Sequence, residues 1–343
     1  MRVRGTPRLL LVNVVVFAAL ATVVEGTSSF IRHAWSLTRD PGSSEPEPYI
    51  RHDDDLGWSL RPGTVISVPG APAPLHVNRR GFRSPRELAD ATAGRVRVAC
   101  SGDSFTFGDG VADADTWCAQ LESADPALES VNLGVPGYGV DQMYLRYQRE
   151  APDLQAAVHV FAFIDDDFRR MGTSRDKPWL TAADERLTVH NVPVPAFQRP
   201  SRVTAALEDL NTYQLAASIG SRLRHAGAAP PAGPADGVLA AIAAGLAATG
   251  QARHTAQIVV RLPSFDPPSP YAAVFLAAAR RASLTVVDLR ARLAELPATA
   301  PWVFFLDGRE PGSHPNAAGH GWIARELGAA IGDTGTQKKP AGI

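Results

Sequence analysis

The chain has 343 residues, room for one large α/β domain or two smaller ones. Its hydrophobic content of 45% and charged content of 20% belong to a globular protein rather than a disordered one. A formal net charge of −1 excludes the basic stripe of a nucleic-acid binder, and two cysteines are too few for a disulfide framework or a zinc site.

In chain order, Arg2, Arg4 and Arg8 precede an uncharged run, LLLVNVVVFAALATVV, over residues 9–24. At about 1.5 Å per residue this run just crosses a hydrocarbon core. Arginines on its leading side keep that end in the cytoplasm. Residues 1–24 therefore read as a signal anchor or a signal peptide, with Ala19-Leu20-Ala21 a candidate cleavage site. The anchor is preferred, because apolar residues continue past that site. Either way the rest of the protein works outside the cytoplasm. Residues 25–47 have the Pro, Ser and Glu content of a linker.

Residues 48–95 form a small β-rich lead-in. YIRHDDDLGWSLRPG reads as strand, turn and strand, and LHVNRRGFRS as another strand and turn. The Asp53–Asp55 run is better read as a solvated turn than as a cation site. From Val96 strands and helices alternate. Strands are expected at 96–100, 129–133, 157–163, 256–262 and 284–289, and helices near 116–124, 141–149, 238–249, 270–282 and 316–331. That alternation implies a parallel sheet with right-handed crossovers. An insertion at about 171–237 interrupts it. It opens on a hairpin, WLTA then RLTVHNV, and continues through an amphipathic stretch into a Pro/Ala/Gly linker. The main domain spans 96–331, and 332–343 is a polar tail. Cys100 and Cys118 admit two readings, a disulfide between the first sheet strand and the next helix, or two small buried residues. The second is preferred, since buried free Cys packs as a small hydrophobe.

The chemistry concentrates at VRVACSGDSFTFGDG, residues 96–110. A strand running through a Gly-containing turn into a helix places that turn at the carboxyl edge of a sheet, where open α/β folds bind ligands. A serine there can expose its hydroxyl while its N–H sits at a helix start, where anions are stabilised. The string GDSFTFG resembles the first block of the SGNH (GDSL-like) hydrolases, with Ser104 at the nucleophile. VNLGVPGYG resembles the second block, with Gly137 at the glycine whose N–H serves the oxyanion hole. HPNAAGH resembles the last block, with His314 at the base. In FIDDDF, Asp166 stands where the family's asparagine donates the third oxyanion bond (Asp165 if the register slips by one). An ionised Asp cannot donate, so either burial holds it protonated or two backbone donors remain. The family's Asp-x-x-His is altered as well, with Pro311 three residues before the histidine. Asp307 and Glu310 are the candidate acids, and a Ser–His pair aided by a backbone carbonyl is the remaining option. His320 reads as a helix-packing or capping residue.

The blocks occur in family order over about residues 76–331. The resemblance implies a flavodoxin-like three-layer α/β sandwich with a mostly parallel sheet. It implies a serine esterase, acetylesterase or O-acyl-transferring enzyme acting on polysaccharide or lipid esters, held at a membrane by its first segment. No cofactor and no metal is expected. The competing reading is a catalytically weak glycan-binding or envelope-assembly protein of the same fold.

Overall fold

The computed structural model describes residues 6–36, 48–67, 73–172, 174–184, 186–196, 211–213, 215–216, 234–235, 237–297, 299, 303–306 and 313–334. The chain divides into two units, Met1–Pro46 with Phe197–Pro231, and Glu47–Ala196 with Ala232–Ile343.

In the first unit, helix α1 (Thr6–Ser36) runs twelve residues beyond the uncharged stretch. Its segment Val12–Ile31 has a mean hydropathy of 1.9 and is long and apolar enough to cross a membrane. Glu25 is a charge within this span. Its carboxylate accepts hydrogen bonds from the Asn211 and Thr212 amides and the Thr212 hydroxyl.

The second unit opens with β1 (Ile50–Asp53) and β2 (Gly57–Leu60), an antiparallel pair, followed by β3 (Val65–Ile66) and β4 (Leu75–His76). The Asp53 carboxylate caps the β1–β2 turn, accepting from the Asp55 and Leu56 amides. Next come β5 (Val96–Ser101), the single turn α2 (Ser104–Phe107), α3 (Trp117–Ala124), β6 (Leu128–Asn132), α4 (Val140–Leu154) and β7 (Val158–Phe163). The inserted hairpin is β8 (Trp179–Ala183) with β9 (Arg186–His190). After it follow α5 (Val238–Arg253), β10 (Ala256–Arg261), α6 (Pro270–Arg281), β11 (Thr285–Asp288), α7 (Leu289–Glu295) and α8 (Ala317–Asp333).

Five strands form one parallel sheet in the order β11-β10-β7-β5-β6. Counting only these five along the chain, the order is 5-4-3-1-2, the flavodoxin-like winding, as expected. The strands are apolar through and through because both sheet faces are covered. β7, VHVFAF, is buried along its whole length. One face packs against α4, α5 and α6 together with Tyr49, Leu56, Leu60 and Phe82 of the lead-in. The other packs against α3, α7 and α8. The strand order reverses between β5 and β7, and such a switch point opens a crevice at the carboxyl edge.

One sequence expectation is corrected on the second face. Cys100 and Cys118 are joined as a disulfide, rather than lying as two separate thiols. Cys100 is on β5 and Cys118 is in the first turn of α3. The crossover packs that helix directly against its strand, with the two Cα atoms 6.2 Å apart, within bridging reach.

Candidate active site

Ser104 leaves β5 at the switch point. Asp103 caps α2, its Oδ1 accepting the Phe105 N–H at 2.9 Å. This fixes the backbone so that the Ser104 side chain faces the crevice. There His314 Nε2 lies 2.8 Å from Ser104 Oγ, across 210 residues of chain. His314 is carried on a short extended segment. The Leu306 N–H donates to the His314 carbonyl at 2.9 Å, and Phe305 pairs with Pro315. The Phe105 ring lies against the imidazole with centroids 4.7 Å apart. α8 follows at once, capped by Asn316 Oδ1 on the Gly319 N–H.

Two backbone donors are available beside the serine. Among the described residues, neither the Ser104 N–H nor the Gly137 N–H has a hydrogen-bond partner. The loop carrying Gly137 is joined to the serine loop by the Val135 N–H on the Gly102 carbonyl at 3.1 Å. Its shape depends on glycine twice. A Cβ on Gly134 would sit 2.2 Å from the Phe107 nitrogen, so no side chain fits. Gly137 has φ of +79°, which L side chains rarely adopt. The lead-in braces this loop from outside. The Trp58 indole donates to the Pro136 carbonyl at 3.0 Å, and the Tyr138 hydroxyl donates to the Trp58 carbonyl at 2.6 Å. α2 is one turn long, so the individual N–H groups matter more than any dipole it carries.

The acidic block after β7 sets Asp166 against two arginines. Asp166 is held by Arg169, at 2.6 and 2.9 Å, and by Arg170 at 3.0 Å. Burial alone would raise its carboxyl, but these two guanidiniums hold it below the usual carboxylate range. It is ionised, an acceptor already in use. Asp165, the neighbouring register, is turned to the β10 side, where Arg261, Arg290 and the Ser269 N–H occupy it. Asp167 accepts the Ile164 N–H at 2.8 Å. Burial, with the Asp103 carboxylate next in weight, pushes Asp167 well above the usual range.

Sequence reasoning missed the group that organises these acids. Arg170 Nη1 lies 2.8 Å from Asp167 and 3.1 Å from Asp103 Oδ2, the oxygen 3.3 Å from Ser104 Oγ. One guanidinium thus joins Asp103, Asp166 and Asp167 behind Ser104. The signal was present in DDDFRR, which places arginines three and four residues after acids. His320 has a capping role. Its Nδ1 accepts the Trp117 N–H at the start of α3. Burial, then the charge of Arg83 and then that of His314 lower its pKa to about 3, so it stays neutral beside the Ser104–His314 pair. Asp307 and Glu310 lie outside the described residues. Among those described, the nearest carboxylate to His314 Nε2 is Asp109, at 3.9 Å.

Fold and site together define an α/β sandwich with a serine–histidine pair at the switch point of its sheet. No protein-family model matches the chain, and no curated protein matches it. Solved structures similar to it include a G-D-S-L family protein from Desulfitobacterium hafniense DCB-2, 16% identical with a TM-score of 0.38 over 68% of this chain and 99% of that one. A lipase/acylhydrolase from Enterococcus faecalis is 14% identical, TM-score 0.38, over 71% and 100%. An acetylxylan esterase from Geobacillus stearothermophilus, in a catalytic mutant form, is 13% identical, TM-score 0.37, over 71% and 97%.

Proposed function

We propose that this chain is a serine-dependent ester hydrolase or O-acyl-transferring enzyme of the SGNH type, anchored by α1 with its second unit outside the cytoplasm. The observation that carries the reading is the 2.8 Å contact between Ser104 Oγ and His314 Nε2. His314 takes the hydroxyl proton as Ser104 Oγ bonds to the ester carbonyl carbon. The carbonyl oxygen becomes an oxyanion facing the N–H groups of Ser104 and Gly137. The imidazolium then gives its proton to the departing alcohol, leaving an acyl-serine. Water, or the hydroxyl of an acceptor sugar, resolves it by the reverse sequence. The substrate class is an acylated polysaccharide or lipid ester. His314 is oriented by Asp307 or Glu310, or by a backbone carbonyl.

The location outside the cytoplasm draws support from three features: the arginines before α1, the apolar length of α1, and a disulfide of the kind that persists in oxidising surroundings. The second reading, a weakly active glycan-binding or envelope-assembly protein, draws on Asp166, whose carboxylate cannot serve as the third donor. Loss of one such donor costs about a hundred- to thousandfold in rate.

Treatment of the full chain in neutral detergent with a fluorophosphonate probe tests the reading. Wild type is expected to label, Ser104→Ala not at all, and His314→Ala far more slowly. A folded wild type that stays unlabelled would overturn the serine mechanism and leave the binding reading.

A further inference from the structure

A cleft of about 280 Å³ lies between β1, β2, the 79–81 turn and α4, and five arginines line it against one glutamate. They are Arg51, Arg79, Arg80, Arg146 and Arg149, facing Glu150. Three have their charge answered. Arg149 Nη1 donates to both oxygens of Asp53, at 3.0 Å each, Arg80 lies 3.2 Å from Asp153 and 3.6 Å from Glu150, and Arg79, 86% exposed, has Glu87 at 3.9 Å. Among the described residues the other two have no carboxylate partner. Arg51 Nε donates to the Ser59 hydroxyl, at 3.1 Å. Arg146 is 3% exposed, and among the described residues it forms no salt bridge. It donates to the Gly81 carbonyl at 2.7 Å, packs over the Phe82 ring, and leaves its Nε buried with no partner.

A guanidinium taken out of water without a counter-charge is costly. Here it stands at the wall of a cleft whose mouth carries Arg51, a second cation without a carboxylate partner among the described residues, and the exposed Arg79. Arginine forks match phosphate oxygens in pairs. From this geometry we infer that the cleft is a binding site for a phosphate monoester or phosphate ion, a dianion whose two charges answer those of Arg146 and Arg51, with the exposed Arg79 at the rim. The site is separate from the Ser104–His314 pair. Arg146 is seven residues beyond the N-cap Gly139 of α4, about 10 Å along its axis. The inference does not depend on the esterase reading.

Calorimetric titration of the full chain in neutral detergent tests it, at about 0.1 M salt, where exposed charges are screened beyond roughly 10 Å. The probes are inorganic phosphate, a hexose 6-phosphate, dihexanoyl phosphatidic acid and, as a monoanion, galacturonate. Saturable binding of a phosphate probe is expected, weakened about tenfold or more in the surface double variant Arg51→Gln/Arg79→Gln and unchanged in Arg281→Gln. Arg146→Met should abolish it. Should that buried change prevent folding, the surface pair decides alone. Tighter binding of the hexose phosphate assigns a saccharide source, of the short lipid a headgroup source, and of inorganic phosphate a free ion. No saturable binding, indifference to the double variant, or galacturonate binding as tightly as phosphate would each overturn the inference.

Discussion

The loop positions of Ser104, Gly137 and His314 were legible because each lies in a junction between a strand and a helix, and such junctions have sequence signatures. What surrounds them was not. FIDDDF shows three acids but not which way each points. Asp165 is turned toward β10, Asp166 lies along Arg169 and Arg170, and Asp167 folds back on the Ile164 N–H. These directions follow from one turn of 3₁₀ helix, Asp165–Phe168, which aims successive side chains about a third of a turn apart. Restoring an amide at position 166 should therefore not restore a donor. In Asp166→Asn, kcat/KM on a model ester is expected to change by less than about tenfold, against the hundred- to thousandfold of a true oxyanion group. A larger gain would place side chain 166 at the oxyanion after all.

At the scale of elements, the five sheet strands were readable as apolar runs of β-formers, and the helices between them as covered faces. The inserted hairpin was readable too, but not what fastens it. Lys177, just before β8, puts its ammonium 2.8 Å from Asp141 in the first turn of α4, with both side chains buried. Burial raises the Asp141 carboxyl, and the Lys177 charge works against that rise. A pair of this kind shows its strength when halved, because the survivor keeps its desolvation cost. Lys177→Met is expected to lower unfolding stability by about 3 kcal/mol, read as a fall in Cm in urea, while Lys177→Met with Asp141→Leu recovers most of it. A single variant as stable as wild type would show the pair to be idle. The disulfide was misread at this scale. Two cysteines 18 residues apart in sequence say little until the crossover that faces them is known.

For the whole molecule, acidity is the lever. His159 is fully buried in the sheet, stacked on Tyr147 and hydrogen-bonded to Gln257 and Ser101. Burial lowers it from 6.5 to about 3, though the Gln257 bond raises it slightly, and His320 is lowered to a similar value. In both the folded pKa lies below the unfolded one, so between pH 6.5 and 3 the unfolded chain binds more protons and stability falls as pH falls. By pH 5 each histidine removes about 2 kcal/mol. The unfolding free energy should be level above pH 7 and drop steeply below 6, with a shallower drop in His320→Asn. A flat profile from pH 7 to 4.5 would show that neither histidine is held neutral.

The bridge beneath Ser104 also keeps a history. Cys100 stands two residues before the GDS turn, and its bond to Cys118 joins the strand that leads to Ser104 to the helix that His320 caps. A chain held among reducing thiols carries two free sulfhydryls at that spot, and one that has crossed into oxidising surroundings carries none. On the proposed location outside the cytoplasm, the state of this pair marks whether a copy has been exported. Trapping thiols in intact cells before lysis would read that itinerary molecule by molecule, with no substrate in hand.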